Sequence, residues 1–338
     1  MTYRFCIPFA LLALGTLSGA QAGAESVPAP AASAIVPGVW MIPGGILPNH
    51  EPDGNSVVFD APRGLIVVDT GRHSWHRDAI LSLARTQKKA IIAIVNSHWH
   101  LDHVSGNPAL RAAYPELQVY ASNAIDGALS GFLASSLREA PSHLNDPRID
   151  AELREDIRGD ALTIQNGTAL RPDVVITASR LITMGGRALK INLAKNAATS
   201  GDVWVYDDKT RIAALGDLVT LPAPFLDTAC PDGWKIALKE IAATPFKTAI
   251  PGHGSPMTHP QFLLYQQTFE TFVDCSRSAL PKEECATGWT NSIEPLLDPN
   301  STDGQRVQRM ASYYVDLLRA NGGQSKYCES APNIHSAS

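Results

Sequence analysis

The run Asn96-Ser97-His98-Trp99-His100-Leu101-Asp102-His103 places three imidazoles and one carboxylate within six residues. Imidazole and carboxylate are donor types that suit a borderline cation such as zinc, whose shell needs several donors aimed at one point. A single such residue in a polar loop is ordinary. Four at this spacing mark a metal or catalytic site. The chemistry that follows is hydrolysis, because zinc lowers the pKa of a water it holds to about 7 and polarises the bond under attack.

Something must aim these side chains, and the run directly follows an apolar stretch of strand length, 91–95. A turn leaving a buried strand end directs neighbouring side chains to one place. Further strand-like runs fall at 56–59, 65–68, 174–176, 188–193, 203–206 and 212–215, with Gly-Gly and Asp-Asp-Lys turn signals in the later block. Helical spacing occurs over 77–83, 234–242, 261–272 and 303–318, and 123–166 reads as a mostly helical insertion placed to cover a site. Strand and helix signals alternate, which is an α/β pattern.

The motif resembles the H-x-H-x-D-H signature of the metallo-β-lactamase-fold hydrolases, matched by His98, His100, Asp102 and His103. Val67-Val68-Asp69-Thr70-Gly71 is similar to the family's strand-terminal D-T-G, whose aspartate supports the metal-site loops. Ala214-Leu215-Gly216-Asp217 resembles the strand ending in a bridging aspartate, and Ile250-Pro251-Gly252-His253-Gly254 resembles the last ligand loop. The resemblance implies a four-layer αββα sandwich over 37–273, with metals at one edge. It also implies two metal sites. His98 and His100 belong to the first, Asp102, His103 and His253 to the second, and Asp217 bridges them.

One landmark departs from the family. Where a histidine usually stands before a strand, this chain has Ala198-Thr199-Ser200-Gly201-Asp202, and no histidine occurs between His143 and His253. Lys195 and Asn196 are poor substitutes, since an ammonium is protonated and an amide oxygen binds zinc weakly. The expectation is one firmly bound zinc at the second site, with a second zinc weak or absent, and activity reduced accordingly. Asp102 is also the candidate catalytic group, orienting the nucleophile or passing a proton to the leaving group. The bridging aspartate resembles the glyoxalase II-like and phosphodiesterase branches rather than true zinc β-lactamases. The expected substrate is a small molecule with an ester, thioester, lactone or amide-type bond. A β-lactamase, or a catalytically impaired metal- or ligand-binding relative, is the alternative.

The remaining histidines take plainer readings. Trp99 is a packing or pocket-wall residue, and His73, Trp75 and His76 lie on a loop after the D-T-G turn, with His73 the one conceivable stand-in ligand. His50, His143, His259 and His335 face solvent.

Composition narrows the setting. With 28 Lys+Arg against 33 Asp+Glu, a net charge of −5 and no basic run, nothing points to nucleic acid. Residues 1–22 read as a secretory signal: Arg4, an apolar run too short to span a bilayer, then Ala20-Gln21-Ala22. The mature chain would be secreted or periplasmic, without stable membrane insertion, and nothing in the sequence fixes its oligomeric state. An Ala/Pro/Ser-rich stretch, 23–36, reads as a flexible leader. Cys230, Cys275, Cys285 and Cys328 then form an even set in an oxidising compartment, and Cys275 with Cys285 is the favoured pair because Pro281 can turn the short loop. The stretch 274–338 would be a C-terminal extension held by disulfides, unstructured after Tyr327.

Overall fold

Alternating burial along the strands builds two faces for each of two sheets. A computed structural model describes residues 29–298 and 304–328. The first sheet runs β1 (Ser33–Val36), β2 (Val39–Ile42), β3 (Ser56–Ala61), β4 (Gly64–Val68), β5 (Ile91–Val95), β6 (Gln118–Ala121) and β7 (Val174–Val175) in spatial as well as chain order. The second is ordered β13 (Met257–Thr258), β12 (Thr248–His253), β11 (Ile212–Thr220), β10 (Gly201–Asp207), β9 (Arg187–Lys195), β8 (Arg180–Met184). In β3 and β4, Val57, Phe59, Ile66 and Val68 face the second sheet and meet Leu189, Ile191, Val203, Val205 and Ile250. Their neighbours Val58, Leu65 and Val67 point the other way, onto Ala79, Ile80 and Leu83 of the helix Ser74–Gln87. Strand period two thus supplies both the sheet-to-sheet core and the outer helical layer. On the far face of the second sheet, Trp234 of helix Pro231–Ala242 and Phe262, Tyr265 and Phe269 of helix His259–Ser276 join Trp289 and Tyr314. The layers are αββα, as the resemblance implies.

The elements that matter for chemistry are the parallel ones. β4 pairs with β5, and β11 with β12, in parallel register. Loops leaving the carboxyl ends of parallel strands are where open α/β sheets collect their ligands. Asp69 follows β4, the histidine run follows β5, and Asp217 and His253 lie on β11 and β12. Between β6 and β7 three helices, Ala124–Ser130, Phe132–Leu144 and Ala151–Gln165, form the wall beside these strand ends.

Some local expectations change. A strand begins at Ser33, inside the stretch read as leader; at a sheet edge, backbone pairing to β2 needs little side-chain burial, and β1 has none fully buried. The helix expected over 77–83 starts at Ser74 and takes in Trp75 and His76, because His76 is buried and its Nε2 meets Ser56 Oγ at 2.8 Å. The disulfides are Cys275–Cys285 and Cys230–Cys328, so the tail is tied down one residue beyond Tyr327. The signal segment 1–22 and the chain from residue 329 lie outside the described residues. No helix among the described residues is long and apolar enough to cross a membrane.

Candidate metal centre

Asp69 sets the orientation of the histidines. It sits just past β4 at φ 60°, a left-handed conformation that aspartate tolerates better than most residues. There it accepts the Ser97 N–H at 2.7 Å, the Ser97 hydroxyl at 2.6 Å and His103 Nδ1–H at 2.9 Å. With its proton on Nδ1, His103 turns a bare Nε2 inward. The Ser97 hydroxyl points its hydrogen at Asp69, so its oxygen accepts His98 Nδ1–H at 2.8 Å, and His98 Nε2 is bare as well. A similar relay fixes His100. The Thr228 hydroxyl donates to the Ala198 carbonyl at 2.9 Å and accepts His100 Nε2–H at 3.0 Å, which leaves Nδ1 facing Asp217.

The inward atoms fall into two groups around Asp217. Toward Oδ1 lie His103 Nε2 at 3.2 Å and His253 Nε2 at 3.6 Å. Asp102 Oδ2 is 3.0 Å from His253 Nε2 and 3.6 Å from His103 Nε2, and the two ring nitrogens are 3.3 Å apart. A tetrahedral shell with donors about 2.0–2.1 Å from the ion has donor-to-donor edges of about 3.3 Å. These four atoms therefore have the spacing of one zinc shell. On the other side, Asp217 Oδ2 is 3.7 Å from His98 Nε2 and 4.0 Å from His100 Nδ1, a wider and less complete set. Buried and without hydrogen-bond partners, His98 Nε2 and Asp217 Oδ1 are acceptor atoms that a cation would satisfy.

Close packing enforces this convergence. Gly216, at φ 53°, bends β11 so that Asp217 enters the site, and a Cβ there would come within 2.3 Å of the Ser97 Cβ. Gly252 faces Asp217 so tightly that a Cβ would stand 2.0 Å from Oδ1.

The electrostatics suit ligand chemistry. Burial, reinforced by His100 and His103, pushes His98 well below the usual histidine range and keeps it neutral, as a metal ligand must be. Burial opposes charge on Asp102 and Asp217, but His103 and His253 hold both far below ordinary carboxylates. Conversely, burial opposes charge on His103 and His253, yet Asp217 and Asp102 raise both. Negative carboxylates and protonatable imidazoles share one buried pocket, the pattern from which a divalent cation displaces protons.

Ala198 is wholly buried, and its carbonyl is already taken by Thr228. Nearby, burial lifts Asp202 to about 8 while Thr199 donates both its N–H and hydroxyl to that carboxyl, so Asp202 braces the loop.

The centre opens into a cleft of about 160 Å³. One wall is apolar: Trp99 and Phe225, with Phe132, Leu133, Leu137, Ile157 and Ile164 from the inserted helices. A polar patch of Glu51, Arg72 and Asp160 lies at its side, where Arg72 is ion-paired with Asp160 and donates Nε–H to the Pro52 carbonyl at 3.1 Å. Burial raises Glu51 to about 7, against the pull of Arg72.

The six sequence-predicted site residues thus gather around Asp217, with His100 the loosest of them, and His100, Asp102, Asp217 and His253 also line the cleft. Trp99 is a wall residue, 5.5 Å centroid to centroid from Phe132. Ser97, Thr228 and Arg72 went unpredicted. Ser97 lies inside the motif and Arg72 directly follows the D-T-G, so both had a positional signal; Thr228 had none. His50 and His259 do not simply face solvent: His50 bonds Asp156, and His259 bonds the Ala242 carbonyl against the Phe246 ring.

Known proteins share part of this sequence or its fold. A stretch of 112 residues is 34% identical to an atrochrysone carboxyl ACP thioesterase of Aspergillus fumigatus, covering 32% of this chain and only 35% of that relative. Among solved structures, the sec-alkylsulfatase Pisa1 from Pseudomonas sp. superposes with a TM-score of 0.58 at 15% identity, over 87% of this chain and 50% of that one. The metallo-beta-lactamase FIM-1 from Pseudomonas aeruginosa, in a mono-zinc form, superposes at 0.51 with 24% identity, over 72% of this chain and 96% of its own. At such identities these likenesses speak to fold alone. Residues 51–253, more than half of the chain and spanning every candidate ligand, match the family description itself, and the chain belongs to the metallo-beta-lactamase superfamily of hydrolases.

Proposed function

We propose that this chain is an exported, zinc-dependent hydrolase that cleaves an ester or thioester whose acyl portion is apolar. The observation behind this reading is the spacing of Asp102 Oδ2, His103 Nε2, His253 Nε2 and Asp217 Oδ1, 3.0–3.6 Å over the separations described, at the head of an apolar cleft. These four residues would hold one ion firmly. His98, His100 and the second oxygen of Asp217 would hold another only weakly, because Ala198 contributes no donor. When bound, zinc supplies Lewis acidity and a water nucleophile near neutral pH.

The chain's own groups do the rest. Asp69 and Ser97 keep His98 and His103 in the tautomers that present bare nitrogens. Asp102, at the cleft surface beside His253, orients the attacking water and can carry a proton to the departing oxygen or sulfur. The walls formed by Phe132, Leu133 and Leu137 exclude water from the acyl chain and favour longer apolar substrates, each buried methylene contributing about 0.8 kcal/mol. The partial thioesterase relative supports the thioester branch, and the paired cysteines support an oxidising compartment.

The test pairs metal analysis with a panel of acyl thioesters and aryl esters of increasing acyl length, and with nitrocefin. Metal-dependent turnover that rises with acyl length and vanishes in His103→Ala is the expected result. Turnover of nitrocefin alone would shift the reading to a β-lactamase, and tight metal without any turnover would leave a binding protein.

A further inference from the structure

A second set of donors lies outside the centre just described, where the 46–55 segment, the start of helix Ser74–Gln87 and the inserted helix Ala151–Gln165 come together. His73 Nε2 is 3.1 Å from Asp156 Oδ1, and His50 Nδ1 is 3.3 Å and 3.0 Å from the two oxygens of the same carboxylate. One ligand atom from each residue lies within 4.8 Å of the other two. On Asp156 Oδ1 the separations from His50 Nδ1 and His73 Nε2, 3.3 and 3.1 Å, match the donor spacing of about 3.3 Å in a tetrahedral zinc shell.

The surrounding groups are built as they are at the main centre. There, Asp69 takes the Nδ1 proton of His103 and turns Nε2 inward. Here, Asp53 Oδ2 takes the Nδ1 proton of His73 at 2.8 Å, and Nε2 turns toward Asp156. Asp53 is itself fixed by the N–H groups of Arg72 and His73, at 2.6 and 3.0 Å, and by Trp75 Nε1–H at 3.1 Å. Trp75 stacks on the His73 ring with centroids 4.0 Å apart. On the other donor, Asp156 Oδ2 accepts the Glu51 N–H at 2.8 Å. A carboxylate behind a histidine is the usual arrangement behind a metal-binding imidazole.

An ion pair, with His73 protonated between two carboxylates, is the competing account. It explains the Asp53 contact and the pull of Asp156 on the ring, but not the poor alignment at Nε2. His73 is only 8% exposed, and although Asp156 draws its imidazole toward the charged form, Nε2 makes no well-aligned hydrogen bond across the 3.1 Å to that carboxylate. A nitrogen and an oxygen that are close but not aimed at each other suit a common third point.

We propose that His50, His73 and Asp156 form a second divalent-cation site of zinc type, separate from the centre at His103, with Asp53 positioning His73. Binding displaces the proton from His73 Nε2 and leaves a fourth coordination position for water. The site ties the 46–55 segment to the inserted helix. Asp156 lies one turn from Asp160, which pairs with Arg72 in the cleft wall, so a bound ion would stiffen the side of the substrate cleft.

The experiment uses the full chain with the main centre removed by His103→Ala and Asp217→Asn, which takes donors from both of its groups, stripped with a chelator and titrated with Zn2+ against a fluorescent competitor. One equivalent is expected to bind, about 10–100-fold more weakly after Asp53→Asn and not detectably after His50→Gln. Zn2+ should also slow hydrogen exchange in 151–165, which a preformed ion pair would not do. A folded double variant that binds no zinc, or binds it equally well with His50→Gln, overturns the site. If the double variant does not fold, the unaltered chain decides instead: His50→Gln, a change at a 14%-exposed side chain, must lower its zinc content by one equivalent, and unchanged content refutes the proposal.

Discussion

Asp69→Asn is a nearly isosteric change that ought to disable the metal centre without touching a ligand. One carboxylate oxygen accepts the Ser97 N–H, and the amide oxygen can keep that bond. The other oxygen accepts both the Ser97 hydroxyl and His103 Nδ1–H, and in the variant an NH2 group occupies its place. That NH2 donates, so the Ser97 oxygen and His103 Nδ1 must become acceptors. His103 then carries its proton on Nε2, pointing into the centre. Ser97, whose hydroxyl proton has lost its acceptor, turns it toward His98 Nδ1, and the His98 proton moves to Nε2 as well. Two bare inward nitrogens become two N–H groups.

Loss of one partner behind a ligand histidine weakens metal binding about 10–100-fold. Both rings depend on this single residue, and because their effects are coupled they need not multiply. A loss of about 10–100-fold, or about 1.4–2.7 kcal/mol, is expected. The assay is competition with a chelator of known affinity at fixed pH, on protein shown to be folded by circular dichroism. Nitrogen-detected NMR of the stripped chain reads the tautomers directly. Zinc affinity within threefold of the unaltered chain, or Nδ1-protonated His98 and His103 in the variant, would refute the relay.

Restoring the absent donor with Ala198→His should raise zinc content from about one equivalent at this centre to two, with the second resisting dialysis; unchanged content on metal analysis would show that the site is limited elsewhere. Gly252→Ala drives a methyl to 2.0 Å from Asp217 Oδ1, so it should cost about 1–3 kcal/mol of stability by thermal melting and most of the hydrolytic rate. Asp227 tests the C-terminal packing. Burial raises its carboxyl to about 6, and it accepts the Tyr313 hydroxyl at 2.7 Å. A carboxyl raised above its unfolded value gives stability that is complete below about pH 4 and lost as pH rises through about 6. Asp227→Asn should therefore remove a penalty of about 3 kcal/mol at pH 8 and little at pH 4, a difference that melting curves at the two pH values would register. In the cleft, Leu133→Ala and Leu137→Ala should raise KM for long acyl substrates more than for acetyl esters, and an equal effect on both would count against the apolar wall as the acyl site.

The histidine run was legible because metal chemistry concentrates its donors: His98, His100, Asp102 and His103 sit within one turn after one strand. The strands were legible because apolar runs such as 91–95 keep a strong signal when both faces are buried. What holds the ligands at the correct tautomer was less visible, since it depends on contacts across distant segments. Thr228 orients His100 from 128 positions away, and nothing local distinguishes it from any surface threonine. The cluster at His50 shows the same limit more sharply. His50, Asp53, His73 and Asp156 belong to three segments with no common motif, and Asp156 reaches His50 across 106 positions. A single histidine beside a loop is read as solvent-facing because polarity alone supplies the evidence. Only when the inserted helix folds back does it bring a carboxylate to two imidazoles at once. The insertion is thus more than a lid of apolar side chains: its Asp156 and Asp160, one turn apart, meet His50 and His73 on one side and Arg72 on the other, so the helix lining the substrate cleft is anchored by charge rather than by its hydrophobic face alone.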